Sequence, residues 1–236
     1  RRAAEERGAI CHVARINADD CTLDYDHLES LISSKTKLVA FTLASNVSGS
    51  RVDAARVIAA AKAVGAMTYV DSVHAAAHYL PDVRALDCDF LACSVYKFCG
   101  PHLGFVYGKP EHLERLLPYK VEPAPPASPE CWEVGTKSFE AISGFSAVIN
   151  YFNSFSNNSD LRGSLNLFYE NVRVYEQAWS RKFLEGAQEI KGLKIYGLTD
   201  LERLDQRSPT FAFTIDGYVP QEISVHLARR CISAGA

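Results

Sequence analysis

The sequence predicts an α/β fold: a mixed, mostly parallel sheet flanked by helices, followed by part of a smaller C-terminal α+β domain. Three observations predict it. Short apolar, β-rich runs at 37–43, 67–70 and 90–93 alternate with helical patterning at 52–64 and 82–86. Each run ends in turn chemistry that carries a polar side chain, namely Asn46, Asp71 or Lys97. Two long helical stretches then lead into two further strand-like runs, at 193–198 and 209–215.

The elements follow in order. The run 37–43 reads as a buried strand, and Ala44-Ser45-Asn46-Val47-Ser48-Gly49 as a turn. Segment 52–64 is alanine-rich with helical spacing, opened by Asp53 as a cap and closed by Gly65. Strand 67–70 delivers Asp71, a helical turn covers 82–86, and strand 90–93 delivers the lysine turn. Segment 103–107 is a further strand closed by Gly108, and 110–117 a helix with proline at its start. The proline-rich segment 121–129 is an extended crossing outside the sheet. Helices are predicted at 138–155, 161–190 and 220–234, with the polar stretch Ser156-Asn157-Asn158-Ser159-Asp160 between the first two. A boundary near residue 180 divides a large domain, 1–180, from the start of a small one, 181–236. The first residues read as the inside of a helix and the last as a turn leading to a strand, so a fragment of a longer protein is expected.

Composition narrows the function. Lys plus Arg is 25 and Asp plus Glu 28, so no basic excess points to nucleic acid or an anionic membrane. No apolar stretch is long enough to span a bilayer, and the charged start lacks the apolar core of a signal peptide. The seven cysteines are odd in number with no C-x-x-C pair, which favours thiols in a reducing, cytoplasmic setting over a disulfide framework or zinc site. Ser94-Val95-Tyr96-Lys97 fits S-x-x-K, but the S-D-N and K-T-G partners of that chemistry are absent from the sequence. P-loop, G-x-G-x-x-G and G-x-S-x-G motifs are absent as well.

In open α/β sheets ligands bind beyond the carboxyl ends of strands. Asn46, Asp71 and Lys97 all fall there. A lysine and an aspartate in such positions are what pyridoxal 5'-phosphate (PLP) needs: an amine to hold the aldehyde as a Schiff base, and a carboxylate to keep the pyridine nitrogen protonated.

Four segments carry a family resemblance: Ser45-Asn46-Val47-Ser48-Gly49, Val70-Asp71-Ser72-Val73-His74-Ala75-Ala76-Ala77-His78, the stretch from Asp89 through Ser94-Val95-Tyr96-Lys97 to Gly104, and Glu133-Val134-Gly135-Thr136. In order and spacing they resemble the class V aminotransferase family of PLP enzymes, in its cysteine desulfurase-like branch. The resemblance implies the PLP-dependent transferase fold type I and a homodimer acting on a small-molecule amino acid. It implies Lys97 as the catalytic lysine and base, Asp71 at the pyridine nitrogen, His74 at the ring's phenolic oxygen, and Asn46 beside the ring or the substrate carboxylate. It places Ser94 at the cofactor phosphate, and Thr136 at the partner's phosphate or, alternatively, as a helix N-cap. Tyr96 stands where desulfurases have His, and His74 where many have Gln; a phenol can still donate to phosphate but brings no positive charge. The family's phosphate-binding glycine/threonine turn, ring-stacking aromatic, substrate-carboxylate arginine and sulfur-accepting cysteine have no match in this sequence. Fold alone does not separate desulfurase, aminotransferase, lyase and epimerase outcomes. A non-catalytic PLP-fold binding protein is the alternative, against which the retention of Asp71 and Lys97 argues.

Overall fold

The structure, a computed structural model, describes residues 2–133, 135–156 and 160–235. Val134 and the Asn157-Asn158-Ser159 stretch lie outside the described residues.

A short helix α1 (Arg2–Glu6) and α2 (Tyr25–Leu31) precede the sheet. Helix α2 is capped by Asp24, whose carboxylate accepts from His27 N. Strand β1 (Leu38–Thr42) leads through the Asn46 turn into α3 (Ala54–Ala63). Asp53 caps α3 as expected, accepting from Arg56 N at 3.1 Å. Gly65, at φ +73°, ends it by letting Ala66 N return to Ala61 O and Gly65 N to Lys62 O. Strand β2 (Met67–Asp71), α4 (Val83–Leu86) and β3 (Phe90–Ser94) follow, then β4 (Gly104–Gly108) and α5 (Pro110–Arg115). The order in the sheet is β1-β2-β3-β4. The first two pairings are parallel and β3–β4 antiparallel, which makes the sheet mixed and mostly parallel.

Helices α6 (Phe139–Asn153) and α7 (Leu161–Gln188) cover this sheet. Val148 and Phe152 of α6 and Leu165 and Tyr169 of α7 share one core cluster with Val70, Leu91 and Cys93 of the strands and Ala54 and Ile58 of α3. Val39, Val57, Ala61 and Ala66 form a second cluster, against which Leu28 of α2 packs. Strands β5 (Leu193–Tyr196) and β6 (Ala212–Ile215) form a separate antiparallel pair, followed by α8 (Pro220–Ala228).

Three departures from expectation have a visible local cause. Helix α8 stops six residues before the predicted 234, because Cys231 takes φ +60° and Ile232 N closes back on Leu227 O. The strand predicted from 209 starts at Ala212, because the carbonyl of Thr210 is used by Arg207 instead of a neighbouring strand. Ser138, not Thr136, occupies the N-cap position of α6, so the alternative N-cap role for Thr136 is not what the fold uses.

Candidate active site

The site grows from the carboxyl ends of three neighbouring strands. Thr42, the last residue of β1, is in register with Asp71, the last of β2, and Asp71 with Ala92 of β3. Side chains alternate along a strand, so Asp71 and Ser94 project from the same sheet face as Tyr69 and Ala92. Asp71 is exposed, and its Oδ1 accepts from Val73 N at 2.8 Å, which fixes the carboxylate at the mouth of the turn.

Lys97 lies in a single 3-10 turn, Val95–Phe98, directly after β3. Residues three apart eclipse in such a turn. Val95 and Phe98 are the buried anchors, which turns Tyr96 and Lys97 outward. Cys99 ends the turn in the left-handed region at φ +69°. A side chain at Gly100 would overlap Val95, so the close return of the chain requires glycine there. Val95 N donates to Leu103 O at 2.8 Å, and β4 then pairs back on β3. The lysine is therefore held from both sides by adjacent strands. Its Nζ lies 5.0 Å from the Tyr96 ring centroid, and among the described residues it makes no ion pair. Tyr96 is half exposed and stacks on His102 with centroids 4.9 Å apart.

His74 lies three residues beyond Asp71. Its Nε2 is 3.0 Å from Thr210 Oγ1, and its ring meets that of His78 edge-on at 4.8 Å. Burial, followed by the fields of His78 and Lys97, lowers its pKa to about 4. At neutral pH the ring is uncharged and carries one N–H. Helix α7 fixes this segment from behind. Tyr169 donates to Ala76 O at 2.8 Å, and the Glu176 carboxylate accepts from His78 Nδ1 at 2.9 Å.

Asn46 is exposed at the tip of its turn. Ser94 is half-buried at the end of β3, and its side chain caps nothing. The structure thus brings Asn46, Asp71, His74, Ser94, Tyr96 and Lys97 to one end of the sheet. Thr136 is exposed on the segment before α6 and belongs to none of these turns. Thr210, Arg207, His78 and Glu176 support the site but lie outside the strand-end pattern; contacts across 98 to 159 residues leave no local trace in sequence.

The donor set suits PLP. Among the described residues, one oxygen of Asp71 is left for a protonated ring nitrogen, Lys97 offers a primary amine without a carboxylate partner, and Ser94 offers a hydroxyl that makes no cap bond. A cavity of about 440 Å³ lies instead at the opposite end of the sheet, lined by Lys62, Asp89, His112 and Arg115. It is a shallow groove remote from these groups, and the chemistry of the side chains, not concavity, locates the site.

The family model for aminotransferase class V matches residues 1–236. The chain belongs to this family. Its members are PLP-dependent enzymes, and the donor set suits that cofactor. Among curated relatives, a cysteine desulfurase of Serratia proteamaculans is 33% identical over 82% of this chain and 48% of its own length. A probable cysteine desulfurase of Streptomyces coelicolor is 30% identical over 87% of this chain and 48% of its own. This class V chain spans about half the length of those relatives. Among solved structures, the apo cysteine desulfurase of Thermococcus onnurineus superposes with TM-score 0.83 at 24% identity, over 98% of this chain and 57% of that one, a likeness of fold. The cysteine desulfurase CsdA of Escherichia coli gives 0.78 at 27%, over 98% and 56%. The fold expectation is met: the neighbours share the type I architecture, and this chain covers part of it. Among the described residues no helix is long and apolar enough to cross a membrane.

Proposed function

We propose that the protein is a PLP-dependent enzyme of the cysteine desulfurase-like branch, acting on an amino acid, with cysteine the first substrate to test. The observation that carries this reading is the pairing of Lys97 and Asp71. Among the described residues, an amine without a carboxylate partner and a carboxylate with an oxygen to spare stand at the same end of one sheet, each on a turn fixed by its own strand. When bound, PLP supplies an electron sink for the substrate's α-carbon.

The chain's own residues do the rest. Lys97 would hold the cofactor through Nζ, and the same amine would take up the substrate's α-proton. Asp71 keeps the ring nitrogen protonated through its negative charge. His74, uncharged, offers a hydrogen bond to the ring oxygen, and Asn46 orients substrate from the neighbouring turn. Ser94 and Tyr96 donate to the phosphate. Thr136, exposed and outside this cluster, serves the partner's phosphate in a homodimer, so that two chains complete each site. Residues 1–180 form the cofactor-binding domain and 181–236 the start of a smaller one. The thiol-rich composition fits a cytoplasmic setting.

The test is an absorbance titration with PLP, followed by borohydride and mass analysis, on wild type and Lys97→Ala. Wild type should retain one covalent cofactor on the peptide containing Lys97. Lys97→Ala should retain none while keeping its circular dichroism. Trapped cofactor in the folded variant would refute the assignment.

A further inference from the structure

Arg207 is 6% exposed and makes no ion pair among the described residues. Its guanidinium donates instead to four backbone carbonyls: Leu198, Ser208 at 3.3 Å, Ser48 at 3.3 Å and Thr210 at 2.6 Å. It also lies 4.0 Å from the Phe211 ring centroid. Burial lowers its pKa only to about 10, so it remains charged at neutral pH. A buried cation without a counter-ion is costly unless its donors are all engaged. These four acceptors join the Asn46 turn to the 198–210 segment. The same seam needs glycine: a Cβ at Gly49 would stand 2.6 Å from the carbonyl oxygens of both Ser208 and Thr210.

The seam ends on His74. Thr210 is held on both sides, its N–H donating to Ser208 O at 2.8 Å and its carbonyl accepting from Arg207. Its hydroxyl meets His74 Nε2 at 3.0 Å. Which nitrogen of a neutral imidazole carries the proton is set by the bond the other makes. Among the described residues, Nε2 of His74 is the acceptor within reach of the Thr210 hydroxyl proton. Donation gives that half-buried proton a protein acceptor, whereas accepting from Nε2–H would leave it none among the described residues.

We propose that Thr210, made rigid by Arg207, is the positioning residue for His74: its hydroxyl donates to Nε2 and keeps the ring proton on Nδ1. Nδ1–H is then the donor offered to the cofactor ring, a consequence that rests on the function proposed above.

Long-range proton–nitrogen correlation spectra of the histidine rings, recorded without cofactor, test the first part. Wild type and Thr210→Ser should show His74 as the Nδ1–H tautomer. Thr210→Val should shift it toward Nε2–H, and Arg207→Lys should give a mixture. An Nε2–H tautomer in wild type, or an unchanged tautomer in Thr210→Val, would overturn the proposal. The wild-type spectrum decides even if a variant does not fold. PLP titration of the same samples tests the second part: Thr210→Val should bind about tenfold more weakly, as expected for one misaligned hydrogen bond. Equal affinity of Thr210→Val and wild type overturns the cofactor consequence. Failure of wild type to bind PLP, with the Thr210-dependent tautomer intact, sinks the cofactor reading and sustains the positioning role.

Discussion

Gly49 and Gly65 are a matched pair for testing how closely the Asn46 turn is pressed against the 198–210 segment. Both lie in the left-handed region, at φ +75° and +73°. A Cβ on Gly65 would meet nothing within 4 Å, whereas on Gly49 it would stand 2.6 Å from two backbone carbonyl oxygens. Alanine at either position carries the same left-handed strain, about 1–2 kcal/mol. The entropy removed from the unfolded chain is also the same and cancels between them. Crowding is confined to Gly49, and because the neighbours are backbone they cannot rotate away. Overpacking of this kind costs about 1–3 kcal/mol. Gly49→Ala should therefore lose about 1–3 kcal/mol more than Gly65→Ala in urea denaturation. Its melting temperature should lie about 2–12 °C lower than that of Gly65→Ala. Equal losses would mean that the close approach does not exist, and with it would go the clamp on the Asn46 turn.

Other expectations follow from single contacts. Asp71→Asn keeps an oxygen for Val73 N and removes only the charge, so PLP affinity should fall about 10- to 100-fold in an absorbance titration with little change in stability. The pKa of His74 falls from 6.5 to about 4 on folding, so below pH 6.5 the unfolded chain takes up a proton that the folded one refuses. Stability should thus drop as pH falls from 6.5 toward 4, by about 1–2 kcal/mol after screening for its partial exposure, and the slope should flatten in His74→Gln. Asp89 is buried and accepts from Thr68 N at 2.7 Å, Thr68 Oγ1 at 3.0 Å and His112 Nε2 at 2.7 Å. Burial pushes its pKa up, but these bonds and the field of Lys109 together outweigh it, and the net direction is down. Asp89→Ala strands those donors and should cost about 3 kcal/mol by denaturant titration.

What was legible in the sequence is what is decided locally. Asn46, Asp71 and Lys97 could be placed at strand ends because a strand, its length and its terminating turn are written in adjacent residues. Asp53 and Gly65 bound α3 for the same reason. Helix α2 went unseen because its seven residues are too few and too polar to show a helical period, although its cap Asp24 was in plain sight. The antiparallel sense of β4 could not be read, since strand direction is a property of pairing. The premature end of α8 hides in Cys231, where the fold takes a left-handed residue without glycine. Thr210 resembles any strand-leading threonine until the fold sets it against His74.

The clamp also divides the site by the time at which its parts can exist. Sheet contacts such as that of Thr42 with Asp71 span 29 residues, whereas Arg207 reaches Ser48 across 159 and Thr210 reaches His74 across 136. Chains are made from the amino end, and contacts of long separation carry the larger closure entropy. On the ribosome all four strands and the lysine turn have emerged with β4, about a hundred residues before Arg207. A growing chain therefore displays Lys97 well before it can fix the Asn46 turn and the histidine beside it.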